Sequence, residues 1–326
     1  MSTKKDILKY IKIHGKASVE ELRKELEISR QIIHRHLNDL IKDNSLIKIG
    51  TPPTVYYTIK ETHILPSFDI PKEKANFLER YFMWVSPSGE MFNGKKAFLE
   101  WLEKTNLVKE SYNLLDEFIS IRKTANKHMT KDALIEASFK LEASFKTVYI
   151  EKLYYLDFYS LPKFGKTPTG QLVIYSKQAQ QEKLIKKLVE LAKPKIELLI
   201  KKHGIDAISF IPPTIPRKVQ FLKVFKSQLN LSLPNVELVK AYKGEIPVAQ
   251  KTLNKLEQRI ENAEQSIHIK NTKIQYKCIL LIDDAVGSGS SMNEVAKKLI
   301  HYKVTKKVFG FSLVGSYKGF DIINEV

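Results

Sequence analysis

The sequence predicts an α/β multidomain protein: a small module of three helices and a hairpin, then a helical connector, then an α/β domain built on a mostly parallel sheet. Three observations predict it. Apolar residues recur at helical spacing up to Ile41 and then alternate through two short runs ending near Ile59. Helical patterns rich in aromatic residues follow, and the last part of the chain places short apolar runs ahead of amphipathic stretches, as strands joined by crossover helices do. The expected divisions are 1–60, 61–145 and 146–326.

Composition narrows the classes. The chain has 326 residues, 43% of them hydrophobic, and 54 Lys and Arg against 36 Asp and Glu give a net charge of +18. That charge is uneven: +5 over 1–60, −1 over 61–145 and +14 over 146–326. A basic excess suits nucleic acid, an anionic surface or a polyanionic small ligand, and also plain solvated surface. The single cysteine, Cys278, excludes an intramolecular disulfide and hence a disulfide-built secreted scaffold. The opening residues lack an apolar stretch of signal-peptide length, and no run of membrane-spanning length occurs, so a cytoplasmic protein without a membrane partner is expected.

In the first module, Ile7, Leu8, Ile11 and Ile13 mark a helix that Gly15 stops. Ser18-Val19-Glu20-Glu21 is a capping box that opens a second helix through Leu22 and Leu26. Ser29 caps a third, whose Ile33, Leu37, Leu40 and Ile41 form one apolar face and turn Arg30, Gln31, His34 and Arg35 away from it. Leu46 to Ile49 and Val55 to Ile59 then alternate as strands around Gly50-Thr51-Pro52-Pro53. His34 and His36 stand two apart on different helix faces, which excludes a metal pair.

Residues 4–60, with "ISRQIIHRHLNDLIKDNSLIKIG" (28–50) at their centre, resemble bacterial winged helix-turn-helix modules. The resemblance implies DNA as a partner, with Arg30, Gln31, His34 and Arg35 toward base edges and Lys48 and Thr51 near phosphates. The same fold also serves protein contacts and dimerisation.

The middle segment shows helical patterns at Phe77 to Val85, Lys95 to Leu107, Leu114 to Ile121 and Thr130 to Phe145. Its aromatics, among them Phe82, Trp84, Phe98 and Trp101, recur at helical spacing and read as packing residues. A connector carrying a homodimer interface is expected.

The sharpest signal is "CILLIDDAVGSGSS" (278–291). Its apolar run reads as a buried strand, Met292 to Ile300 as the following helix and Val308 to Val314 as the next strand, so the loop sits on a βα turn. There Gly287 and Gly289 let the backbone approach a ligand, helix N-terminal amides point outward, and Ser288, Ser290 and Ser291 add hydroxyl donors. That is an anion site suited to a phosphate monoester. The adjacent carboxylates suit ribose hydroxyls or a hydrated cation on a polyphosphate. A P-loop fails, because Phe164-Gly165-Lys166-Thr167 has Ser160 where the first glycine belongs. A dinucleotide fingerprint fails for want of a third glycine at Met292. A flexible Gly/Ser linker is opposed by the flanking strand and helix.

This segment resembles the phosphoribosyl pyrophosphate (PRPP) motif of phosphoribosyltransferases at Asp283, Asp284, Ser288, Gly289 and Ser291; position 287 is Gly where many members have threonine. Upstream, the resemblance extends to the ComF-like branch of the type I fold. Pro213, Thr214, Arg217 and Lys218 fall in a Pro-rich loop after a strand at Ile205 to Phe210, and Gln250, Lys251, Arg259 and Asn262 fall in the order of that branch's mobile segment. Tyr154 to Lys177 matches its opening strand and helix. The resemblance implies a Rossmann-like phosphoribosyltransferase domain, with Asp283 and Asp284 as catalytic residues on the ribose hydroxyls. It further implies that the 284–291 loop, with Ala285, Val286, Gly287, Ser288, Gly289, Ser290 and Ser291, holds the 5′-phosphate. The Pro213 to Lys218 loop would take a pyrophosphate carrying Mg²⁺, and no residue is assigned to hold that metal directly.

Together the two ends predict a DNA-binding regulator that responds to PRPP or a nucleotide. The alternative is an active phosphoribosyltransferase, a salvage enzyme or a nucleotide-targeting defence effector, releasing pyrophosphate from PRPP. A third reading is a non-catalytic scaffold whose basic domain holds RNA or DNA.

Overall fold

The computed structural model describes residues 3–59, 68–215 and 217–317. They fall into two compact units, Met1–Ser67 and Phe68–Val326.

In the first unit, α1 (Thr3–His14), α2 (Val19–Leu26) and α3 (Arg30–Lys42) precede an antiparallel hairpin of β1 (Leu46–Thr51) and β2 (Thr54–Ile59). The helices begin where the sequence supplies caps. Ser18 Oγ accepts from the Glu21 amide at 3.2 Å while Glu21 Oε2 accepts from the Ser18 amide at 2.6 Å, and Ser29 Oγ accepts from the Ile32 amide at 3.4 Å. Such caps stabilise a helix by about 1 kcal/mol each. Ile7, Ile11, Leu22, Ile33 and Leu37 meet in one core against Tyr57 of β2. Paired amide and carbonyl bonds between Ala17 and Tyr57, 2.9 and 2.8 Å, tie the α1–α2 connection to the hairpin. Burying that stripe leaves Arg30, Gln31, His34 and Arg35 of α3 and Lys48 of β1 exposed.

The second unit opens with α4 (Lys72–Tyr81), a hairpin of β3 (Met83–Val85) and β4 (Met91–Asn93), α5 (Gly94–Lys104), α6 (Ser111–Ala125), β5 (Ile135–Glu136) and α7 (Ser138–Ser144). Two helix expectations need correction. The pattern through Val85 breaks at Phe82, whose extended backbone starts β3, because the turn at 86–90 folds Met83–Val85 onto Met91–Asn93. The Thr130 to Phe145 pattern is not one helix: Ile135 and Glu136 pair with Tyr155 and Tyr154 in the main sheet, and the Glu136 carboxylate accepts from the Ser138 amide at 2.8 Å to start α7. The aromatics pack as expected, Phe82 lying 5.1 Å from both Phe98 and Phe118. They also reach past residue 145, with Trp101 and Phe118 at 5.4 and 5.2 Å from Phe164.

The remainder runs β6 (Leu153–Phe158), a short hairpin of β7 (Ser160–Leu161) and β8 (Gly165–Lys166), α8 (Pro168–Ala179), α9 (Glu182–His203), β9 (Ala207–Phe210) and α10 (Phe221–Leu229). Then come β10 (Asn235–Val236), β11 (Leu238–Lys240), α11 (Leu256–Ser266), β12 (Ile267–Ile269), β13 (Tyr276–Val286), α12 (Ser290–His301) and β14 (Thr305–Gly315). The sheet order is β10-β9-β13-β14-β6-β5, parallel throughout except for β5. Strand alternation sends Cys278, Leu280, Ile282, Phe309, Phe311 and Leu313 into a core with α8, α9 and α10. α12 covers the opposite face, where Gly310 leaves room for Met292 and Leu153. Asp206 sets the register of the central strands by accepting from the amides of Lys277 and Cys278, each at 2.9 Å. Burial pushes the Cys278 thiol up to about 11. Among the described residues, no helix is long and apolar enough to cross a membrane.

One buried ion pair fastens α6 to the sheet. Arg122, 1% exposed, donates from Nη1 to Asp157 Oδ1 of β6 at 2.7 Å and from Nε to Asn126 Oδ1 at 2.9 Å, and Asp157 also accepts from the Phe158 amide at 2.8 Å. Removing one partner strands the other charge in the interior, so Arg122→Met is expected to cost about 3–5 kcal/mol in urea unfolding. The double variant Arg122→Met/Asp157→Leu is expected to lose less.

Candidate functional site

The site follows from topology. After β9 the chain turns through α10 to β10 on one side, whereas after β13 it turns through α12 to β14 on the other. These diverging connections open a crevice beyond the carboxyl ends of two adjacent parallel strands, the usual ligand position in such sheets. A cleft of about 280 Å³ lies there. Its walls bring together Pro213, Thr214 and Arg217 from the loop after β9, Gln250 and Arg259 from the 249–259 segment, and the run from Asp283 to Ser291.

The acidic pair belongs to the strand and not to a loop, a difference from expectation. β13 continues to Val286 because β14 pairs alongside it as far as Gly315, matching Asp283 with Ser312 and Ala285 with Val314. The period of two therefore sorts the carboxylates. Asp284 shares the parity of Leu280 and Ile282, which face α8, and Lys177 in the last turn of α8 reaches its Oδ1 at 2.7 Å. Asp283 has the opposite parity and lies near Lys240 of β11, whose ammonium bonds Thr214 Oγ1. Burial, then the Asp284 charge, pushes Asp283 well above the usual carboxylate range. Burial also lowers Lys240 to about 8, against the pull of Asp283.

The start of α12 forms another wall of the cleft. Gly289 is the cap residue at φ +82°, and a Cβ there would meet Leu141 Cδ2 at 2.3 Å. Ser288 Oγ donates to Ser290 Oγ at 3.2 Å and accepts from the Ser290 amide at 3.4 Å, so the hydroxyls converge on the helix end. Asn293, 1% exposed, holds this first turn from behind: its Oδ1 accepts from the Tyr149 amide at 2.9 Å and its Nδ2 donates to Thr147 O at 3.0 Å.

Other expected residues serve as struts or lie apart. Arg217 donates from Nη1 to the Lys177 carbonyl at 2.7 Å, fixing the Pro-rich loop to the end of α8. Arg259 is buried and donates from Nε to Leu253 O at 2.8 Å, while Gln250 donates to Arg259 O at 2.9 Å and Asn262 to Val248 O at 3.3 Å. These bonds fasten the 248–253 segment onto α11. Lys218 is exposed and does not line the cleft. The side chains of Lys251 and Thr51 lie outside the described residues. Sequence reasoning missed Lys177, Lys240 and Asn293. Lys240 carried a signal, a lysine within a short apolar strand; Lys177 and Asn293 are ordinary helix residues until the chain folds.

Mg²⁺ asks for near-octahedral oxygen ligands. Here the ammonium of Lys177 stands against Asp284 Oδ1, the Asp284 amide donates to Asp283 Oδ1 at 2.7 Å, and among the described residues no group of three or more His, Cys, Asp or Glu side chains converges. The chain's own residues do not fit a metal held by the protein.

The chain matches no protein-family model and no curated protein. Among solved structures it is similar to a hypoxanthine phosphoribosyltransferase from Staphylococcus aureus, at 14% identity over 43% of this chain and 67% of that one, with a TM-score of 0.26. It is also similar to a hypoxanthine-guanine phosphoribosyltransferase from Bacillus anthracis (12% identity, 43% and 71% covered, TM-score 0.26). A third is the hypoxanthine phosphoribosyl transferase of Trypanosoma cruzi (13%, 42% and 68%, TM-score 0.27).

Gly289→Ala is expected to strain the cap by about 1–3 kcal/mol, since both the left-handed backbone and Leu141 oppose a side chain. Thermal unfolding checks it, and the loss from Gly289→Ala is expected to be smaller when measured on a Leu141→Ala background than in the wild type, because the steric part is then gone.

Proposed function

We propose that the second unit binds PRPP and transfers its phosphoribosyl group to an acceptor, releasing pyrophosphate. The observation that carries this reading is the convergence, in one cleft at the sheet's switch point, of a phosphate-sized helix start, an acidic strand end and a basic loop. The 5′-phosphate sits on the amides and hydroxyls of 287–291. Asp283 and Asp284 accept from the ribose hydroxyls, and the pyrophosphate lies toward Thr214, Arg217 and Lys240. An acceptor lone pair then forms the bond to the anomeric carbon while the bond from that carbon to the pyrophosphate oxygen breaks, its electrons leaving with pyrophosphate. The chain's residues position the ribose, stabilise the departing charge and exclude water. Ile211, Phe221 and Leu222 give the cleft an apolar wall against which a planar acceptor can lie.

Calorimetry with PRPP in Mg²⁺ buffer, followed by pyrophosphate release across nucleobases, tests the reading. Wild type is expected to bind, and Asp284→Asn to lose about tenfold or more in affinity, the scale of one charge-assisted bond. Absence of PRPP binding overturns it. Lys240 adds a pH signature: an ammonium lowered to about 8 attracts pyrophosphate below that pH and loses its charge above it. Pyrophosphate affinity is therefore expected to be level below about pH 8 and to fall as pH rises further, with no such fall in Lys240→Met.

A second reading concerns the first unit and rests on α3, whose Arg30, Gln31, His34 and Arg35 are all exposed while the opposite stripe is buried. That polar, cationic face suits the major groove of DNA, as a winged helix presents it. Fluorescence anisotropy with duplex DNA is expected to show salt-dependent binding that Gln31→Ala and Arg35→Ala weaken; no binding at low salt removes this reading and with it the regulator role.

A further inference from the structure

The acidic strand end is already charge-matched before any ligand arrives. Lys177 Nζ lies 2.7 Å from Asp284 Oδ1, with both side chains largely shielded at 23% and 20% exposure. Two contacts hold the lysine in this place: its carbonyl accepts from Arg217 Nη1 at 2.7 Å, and its ammonium lies 5.8 Å from the Phe221 ring centroid. Asp283 is met from the other side by the Asp284 amide and the nearby Lys240. A divalent ion set against Asp284 Oδ1 would stand beside an ammonium of like charge.

We infer that Lys177 is the resident cation of this site, so that the acidic strand end takes a ribose carrying phosphate and pyrophosphate without a divalent metal ion. The inference rests on the PRPP reading above. Lys177 orients the Asp284 carboxylate toward the ribose hydroxyls and supplies, from the chain, the positive charge that a metal would bring with the ligand. It is a positioning residue, and its signature is therefore the metal dependence of binding and not the loss of binding alone.

The test is calorimetric PRPP binding to the full chain in EDTA and in Mg²⁺, for wild type, Lys177→Gln and Lys177→Arg. Wild-type affinity is expected to differ by no more than about threefold between the two buffers, whereas Lys177→Gln loses about thirtyfold or more in EDTA and regains most of it in Mg²⁺. Lys177→Arg is expected to keep its affinity in EDTA, since the charge remains. Wild-type binding that needs Mg²⁺ overturns the inference and leaves the PRPP reading standing. Equal losses for Lys177→Gln in both buffers overturn it as well. Absence of binding in both buffers removes the PRPP reading and this inference together. The wild-type comparison requires no variant to fold.

Discussion

The parallel pairing of β9 with β13, with their onward connections leaving in opposite directions, is the constraint on which the site depends. Two strands that end side by side and feed helices on opposite faces cannot have their tips covered by either helix. A crevice results, and the loops that border it come from the strand ends themselves. Asp206 fixes the register of the two strands at their starts by accepting from the amides of Lys277 and Cys278. The bond from the Ile211 amide to the Ile282 carbonyl, 2.9 Å, then holds the start of the Pro-rich loop beside the acidic pair.

Within that crevice the two-residue period of β13 does the electrostatic sorting. Adjacent carboxylates on a loop would repel and share whatever cation came near. On a strand they point to opposite faces: Asp284 pairs with Lys177 from the helical layer carrying α8, while Asp283 feels the charges of both Lys177 and Lys240, the latter from the small sheet of β11 and β12. The struts behind the site are polar for the same reason. Asn293 and Arg217 satisfy backbone groups at places where regular structure ends, so the tips of α12 and α8 are held without further secondary structure.

Much of this was legible in local patterns. The caps at Ser18 and Ser29, the apolar stripe of α3, the buried run at Cys278 to Ile282 and the glycines of the loop all express backbone preferences that act over a few residues. Where two local preferences competed, the pattern misled. Phe77 to Val85 and Thr130 to Phe145 carry helical periodicity, yet Phe82 and Ile135 extend because a hairpin turn and a sheet edge offer backbone partners that spacing alone cannot display. Tertiary pairing overrides intrinsic propensity at such places.

By itself the sequence determined the element types over most of the chain, the glycine- and serine-rich turn at 287–291 and the presence of two carboxylates ahead of it, because those features depend on neighbours a few residues away. Tertiary structure alone decided what those carboxylates face. Lys177 and Lys240 are more than forty positions from Asp283 and Asp284 by their numbering, and come near them only once β13 is laid between β9 and β14. The same holds for Arg122 and Asp157, joined across α6 and β6. A charge has no periodicity that reveals its partner; the partner is chosen by the layer against which its strand or helix is packed.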